Sequence, residues 1–215
     1  PAGMTFWNAD ESFNQKETER YIQWVLDCGA HSLSVTGSTG ENISMSDDEQ
    51  KKIIECLVKF VDHQVPVYPG TGKYGTAQTI EMTKFAQKCG AEGALVIMPY
   101  YLIRTEAVVN HFKKLREAVG DDFDSILYNN PRCCGYQFEP IELKELAEQG
   151  IINGVKLADG RASYIQGMKH YCPDGITALY GHDYEPLPAC FAGADGWLSG
   201  LPGSFPKFCV DLFNL

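Results

Sequence analysis

Lys156 directly follows the apolar run Ile151-Ile152-Asn153-Gly154-Val155 and precedes Leu157-Ala158-Asp159-Gly160, which reads as a turn. A lysine at the end of a buried strand is unusual, because an ammonium ion is costly to take out of water. Burial lowers its pKa and frees the amine as a nucleophile. Taken alone, the same residue is equally well a lysine that snorkels to the strand end and pairs with Asp159. Other apolar runs also end in polar groups: Thr36, Ser38 and Thr39; Tyr68; Tyr100 and Tyr101; Tyr128 and Asn129; Asp183; Ser199. This set offers one amine, several phenols and a hydroxyl-rich turn, with no pair of carboxylates and no metal triad. It suits Schiff-base chemistry. A neutral amine attacks a ketone and loses water, and the iminium withdraws electrons from the next carbon. A phenol relays the protons. The hydroxyls and N–H groups of Gly37-Ser38-Thr39-Gly40 can hold a carboxylate. Singly, each group has a plainer use: Ser38 and Thr39 as turn residues, the tyrosines as rim aromatics, Asp183 as a solvated loop charge.

The bulk composition narrows the class. The chain has 215 residues, enough for one large domain, with 44% hydrophobic and 21% charged residues. No apolar run approaches the length of a membrane span. A net charge of -10 without a basic block argues against nucleic acid or an anionic membrane as partner. The eight cysteines, at 28, 56, 89, 133, 134, 172, 190 and 209, are scattered and never fall at CxxC spacing. That is the usage of reduced thiols and predicts a cytoplasmic protein. The five histidines show no HxH or HxxxH spacing, so no metal site is expected, and no cofactor.

The elements that must position these groups alternate between helix and strand. Helices are expected over 14–28, from the Ser46/Glu49 capping box onward, and over 76–89, 105–119, 139–149, 165–171 and 186–191. A further helix begins near Phe205. Strands are expected at 1–5, 31–35, 65–70, 93–98, 125–128, 151–156, 176–180 and 196–200. With no hairpin signal between them, parallel pairing through crossovers follows. Eight such strands, one unit per about 25–30 residues, predict a (β/α)8 TIM barrel as a single domain over 1–215. An open doubly wound sheet is the runner-up, but its glycine fingerprint is absent. A barrel usually has ~250 residues, so the chain is expected to stop short at its C-terminal end. In a barrel, the residues just past each strand share the face that carries the chemistry. Gly193, Gly196, Gly200 and Gly203 could instead form a phosphate cradle there, though bulky Trp197 and Leu198 stand among them.

Four stretches in register, Gly37-Ser38-Thr39-Gly40-Glu41, Pro99-Tyr100-Tyr101, Tyr128-Asn129-x-Pro131 and Gly154-Val155-Lys156, resemble the dihydrodipicolinate synthase/N-acetylneuraminate lyase family of class I aldolases. The resemblance runs from Pro1 to Leu215. It implies that Lys156 forms the imine with pyruvate or another 2-oxo acid, that Tyr128 relays protons, and that Ser38 and Thr39, with Gly40, hold the carboxylate. It implies that Tyr101 reaches across a tight dimer interface, and that the protein is a homodimer or a tetramer of two such dimers. It also implies further C-terminal helices that this chain lacks. Two positions depart from the family's patterns. Cys133 stands where synthases carry an arginine, with Arg132 one residue early. Tyr184 follows Asp183 where sialic acid lyases carry a glutamate. The expected function is therefore a Schiff-base lyase, of aldolase, synthase or dehydratase type, acting on pyruvate or a related 2-oxo acid, with a hydroxylated 2-oxo acid expected as its substrate. The alternatives are the synthase or sialic acid lyase proper, a deaminase or dehydratase of a hydroxylated pyrroline carboxylate or a 2-keto-3-deoxy sugar acid, and a barrel that only binds a metabolite. Arg132, Asp183, Leu198 and Ser199 are expected to face the second part of the substrate.

Overall fold

The computed structural model describes residues 1–100, 105–172 and 174–215. Five strands, β1 (Gly93–Ile97), β2 (Asp124–Asn129), β3 (Gly154–Leu157), β4 (Thr177–Tyr180) and β5 (Gly196–Trp197), pair in parallel and in chain order. Three earlier extended segments complete the ring through single bridges, Ala2 to Ser34, Leu33 to Val67 and Gly70 to Leu95. The Ala2 amide donates to the Ser199 carbonyl at 3.1 Å, closing the last strand onto the first. Among the described residues the eight expected strands are thus all in place, five in continuous ladders and three as shorter segments joined by bridges and alternate backbone hydrogen bonds, such as those from Tyr68 N–H to Leu33 and from Gly70 N–H to Val35. Pro66 and Pro69 supply no N–H to the ladder, and Thr36 leaves the extended region at φ +48°.

The helices are α1 (Gln15–Asp27), α2 (Asp47–Val61), α3 (Thr76–Lys88), α4 (Thr105–Val119), α5 (Pro131–Cys134), α6 (Pro140–Glu148), α7 (Ala162–Tyr171), α8 (Pro186–Phe191), α9 (Leu201–Ser204) and α10 (Pro206–Phe213). Their starts follow from sequence. Asn14 caps α1 by accepting from the Glu17 amide, and Ser46 and Glu49 form the reciprocal box that opens α2. Proline stands at the start of α5, α6, α8 and α10, where its missing N–H is not needed. On α2, Ile53, Ile54, Leu57, Val58 and Val61 form one buried stripe.

Alternation along the strands divides the apolar residues into two cores. Leu95, Ile126, Tyr128, Ala158 and Leu198 pack with Tyr68, Ile97 and Leu179 inside the barrel. Val96, Leu127, Val155, Leu157, Ala178 and Tyr180 face outward into the larger core shared with the helices. The register of β3 is pinned at its start by buried Arg116. Its guanidinium donates to the carbonyls of Gly120 (2.7 Å), Phe123 (3.0 Å) and Ile151 (3.3 Å) and to the Asn153 side chain. Asn153 Oδ1 also accepts the Ser125 amide at 2.9 Å. Among the described residues no helix is long and apolar enough to cross a membrane.

Candidate active site

The parallel register sets Ile97, Tyr128, Lys156 and Leu179 side by side on β1 to β4. Neighbours in register project to the same side of a sheet, so the amine and the phenol enter the barrel together. Lys156 is 5% exposed, and its Nζ lies 4.2 Å from the centroid of the Tyr128 ring. It does not pair with Asp159. That carboxylate is taken by Arg161 and by the Gln137 amide. Among the described residues Lys156 Nζ makes no ion pair, and no side chain accepts a hydrogen bond from it. Burial pulls its pKa down to about 8, while the Asp183 carboxylate, and to a lesser degree Cys133, work in the opposite direction. Relative to an ordinary lysine at 10.5, that multiplies the neutral amine at pH 7 roughly 300-fold.

Room for this lysine comes from Gly181, a residue that the sequence did not single out for the site. A Cβ there would lie 2.9 Å from both Cγ and Cε of Lys156 and 2.8 Å from the Leu157 carbonyl oxygen. The carbonyl is backbone and cannot step aside. Gly181→Ala is therefore expected to push Lys156 off its line, slow imine formation by at least about tenfold and cost about 1–3 kcal/mol of stability. Stopped-flow imine formation and thermal unfolding check the two effects separately.

Tyr128 is 8% exposed. Burial raises its pKa, as does Cys133, whereas hydrogen bonds from Asn130 and Ser38 hold it down. Ser38, Tyr100, Tyr128 and Cys133 line one cavity of about 390 Å³ together with Gly37 and Ile97. Tyr100 meets Tyr74 edge to face at 5.2 Å. The Gly37–Gly40 turn is held from several sides. Thr5 Oγ1 donates to the Gly40 carbonyl at 3.0 Å, and the Ser38 carbonyl accepts the Glu41 amide at 3.1 Å. The left-handed Thr36 just before it donates through Oγ1 to the Gly70 carbonyl, at 3.2 Å. Such a conformation is costly for a β-branched residue. Gly70 has to be glycine, since a Cβ would sit 2.4 Å from the Thr36 oxygen. The amide N–H groups of Ser38, Thr39 and Gly40 have no partner among the described residues. Successive free amides of this kind form an anion-binding concavity.

The remaining sequence candidates divide. Asp183 accepts from the Ser199 hydroxyl and, at 3.2 Å, from the Leu201 amide, so Asp183 and Ser199 act as one unit beside Lys156. Leu198 is buried inside the barrel and packs with Tyr128 and Ala158. Arg132 is exposed on α5 and makes no ion pair among the described residues; Cys133, its neighbour, is the one that lines the cavity. Thr39 is exposed and Gly40 buried. Tyr101 lies outside the described residues. Two polar groups at strand ends serve structure instead. Tyr68 Oη donates to Asp124 at 3.3 Å, and Asn129 exchanges hydrogen bonds with the backbone of Phe138 at 2.9 and 3.2 Å. The late glycines have packing reasons: a Cβ on Gly196 would meet Leu179 at 2.8 Å, and one on Gly203 the Ala2 carbonyl at 2.7 Å.

A sequence profile of the dihydrodipicolinate synthetase family matches residues 1–214. The chain belongs to this family. It is 32% identical to 4-hydroxy-tetrahydrodipicolinate synthase of Clostridium novyi (strain NT) over 96% of this chain and 69% of that protein. It is 35% identical to the synthase of the same name from Thermodesulfovibrio yellowstonii, over 94% of this chain and 69% of the other. Among solved structures it is similar to YagE, a prophage protein of the dihydrodipicolinic acid synthase family from E. coli K12, crystallised in complex with pyruvate. That likeness has a TM-score of 0.94 and 29% identity, and it covers 100% of this chain and 73% of that one. The dihydrodipicolinate synthetase family consists of metal-independent class I lyases, and this member is a (β/α)8 barrel of the same kind. Its reaction class is that of a Schiff-base lyase of pyruvate or a related 2-oxo acid.

Proposed function

We propose that Lys156 carries this reaction, with Tyr128 as proton carrier and the Ser38–Gly40 turn as the seat of the 2-oxo acid's carboxylate. The observation that carries the reading is the buried amine of Lys156, without an ion pair among the described residues and in register with Tyr128, its pKa lowered to about 8 by burial. The neutral amine adds to the C2 carbonyl and forms a carbinolamine. Tyr128 gives its proton to the C2 hydroxyl, which leaves as water, and the iminium remains on Lys156. The phenolate then takes a proton from C3, which yields the enamine and restores the phenol. The carboxylate at C1 meets the free amides of Ser38, Thr39 and Gly40 and the two hydroxyls.

For the remainder of the substrate we propose a hydroxylated 2-oxo acid. Asp183, oriented by Ser199, can accept from a substrate hydroxyl, and the guanidinium of Arg132, which makes no ion pair among the described residues, offers a fork for a distal carboxylate. The names of the curated relatives favour a second reading, condensation of pyruvate with aspartate semialdehyde. Against it stands the cavity wall, which presents Cys133 where the family resemblance places an arginine. We further propose a dimer in which Tyr101 completes the neighbouring site; the solution mass decides this.

Borohydride with pyruvate is expected to modify Lys156 and no other lysine, as read by peptide mass spectrometry. Label at Lys73 or Lys169 with Lys156 untouched sinks the assignment, and no label at all leaves a barrel that only binds. With trapping established, a panel of 2-keto-3-deoxy acids, hydroxy-pyrroline carboxylate, sialic acid, and pyruvate with aspartate semialdehyde ranks substrates by kcat/KM. First place for aspartate semialdehyde would replace the substrate proposal with the second reading.

A further inference from the structure

Asn130 occupies the position that the Tyr-Asn-x-Pro pattern leaves open, and it is 7% exposed. Its side chain has two ends with different duties. Oδ1 accepts the Cys133 amide at 3.4 Å and so caps α5. A backbone N–H can only donate, so the amide of Asn130 cannot be turned the other way round without setting donor against donor. Nδ2 is thereby aimed at the phenol. It donates to Tyr128 Oη at 3.0 Å and to Cys133 Sγ at 3.2 Å. The phenol oxygen, as acceptor of that bond, has to point its own hydrogen elsewhere. With the Ser38 hydroxyl also bonded to the phenol oxygen, the direction left for that hydrogen is the cavity that Ser38 and Tyr128 line together.

We propose that Asn130 is a positioning residue for Tyr128: its fixed amide turns the phenolic proton toward the substrate and steadies the phenolate left when that proton is given up. The inference rests on Tyr128 being the proton carrier proposed above. The short helix α5 then has a task beyond chain reversal. The Cys133 N–H, shared between the carbonyl and the side chain of Asn130, orients the amide, and the amide orients the phenol. A hydrogen bond that strengthens as charge develops on the phenol oxygen favours the transition state over the ground state. Cys133 accepts from the same donor, which keeps the thiol beside the phenol.

Two substitutions that both retain an N-cap oxygen separate this role from capping. Asn130→Ser keeps the cap and removes the donor. Asn130→Asp keeps the cap and puts an acceptor against the phenol, so the proton is drawn away from the substrate. The readout is exchange of the pyruvate C3 hydrogens in D2O, followed by NMR on the full chain, alongside borohydride trapping at Lys156. Asn130→Ser is expected to exchange about tenfold slower, and Asn130→Asp to approach the loss of about 10²–10⁴ expected on removing the phenol itself. The KM for pyruvate should stay within roughly twofold in both, since neither touches the carboxylate seat. Exchange at the natural rate in Asn130→Asp overturns the proposal. So does an equal loss in both variants that follows their thermal midpoints, which would make Asn130 a cap and nothing more. Failure of the natural chain to trap pyruvate at Lys156 would instead overturn the functional reading, and this inference with it.

Discussion

Lys156→Met is expected to be inactive and, at pH 7, more stable than the natural chain. A thioether cannot form an imine, so turnover and trapping should both vanish. The gain in stability comes from the same burial that makes the lysine reactive. Its folded pKa of about 8 lies below the ordinary 10.5. Between those values the unfolded chain binds more protons than the folded one, so stability rises with pH across that window. Below about pH 8 the penalty is present in full, worth up to about 3 kcal/mol. Methionine fills a similar volume without a charge and removes it. For a chain of this size each kcal/mol moves the midpoint by about 2–4 °C. Thermal unfolding at pH 7 should show the variant ahead by several degrees, with the lead shrinking toward pH 10.5. An inactive variant with no such lead would mean that the natural ammonium ion is well solvated, and the basis for its reactivity would be lost.

Tyr128→Phe is expected to lower kcat by about 10²–10⁴, the usual worth of one positioned proton carrier. The substitution is informative because it leaves the ring in place. The face of the ring against Lys156 Nζ, 4.2 Å from its centroid, survives, as does the packing with Leu95, Ile126 and Leu198. The loss should therefore fall on imine formation and C3 exchange, with little change in the pyruvate KM. A variant that keeps more than about a tenth of the rate would move the relay to another phenol, and Tyr100 on the same cavity wall would be the next to test.

Much of the frame was legible in the sequence because it depends on local chemistry. The Ser46/Glu49 box, the α4 span Thr105–Val119 and the proline-led α8 follow from spacing and caps, and strand–helix alternation leaves few topologies. Lys156 stood out for a physical reason, a charge at the end of an apolar run. Side-chain direction past a strand end was harder to see. Period-two alternation does not say whether Tyr68 or Asn129 turns toward the cavity or toward a backbone partner, and both turned to partners. Helix α5 was hidden because Asn130-Pro131 reads equally as a turn. The need for glycine at 181 and 70 comes from close approach of distant backbone, which spacing along the chain cannot convey.

The placing of the two halves of the site gives the bound substrate a second significance. Lys156 and Tyr128 lie on β3 and β2, whereas the Ser38–Gly40 turn follows the extended segment at residues 33–35, on another side of the ring. On the proposed chemistry, one molecule is bonded covalently to β3 at one atom and gripped by the distant turn at its carboxylate. The ligand then acts as a strut between the two, and its binding free energy adds to the cohesion of the whole ring by mass action.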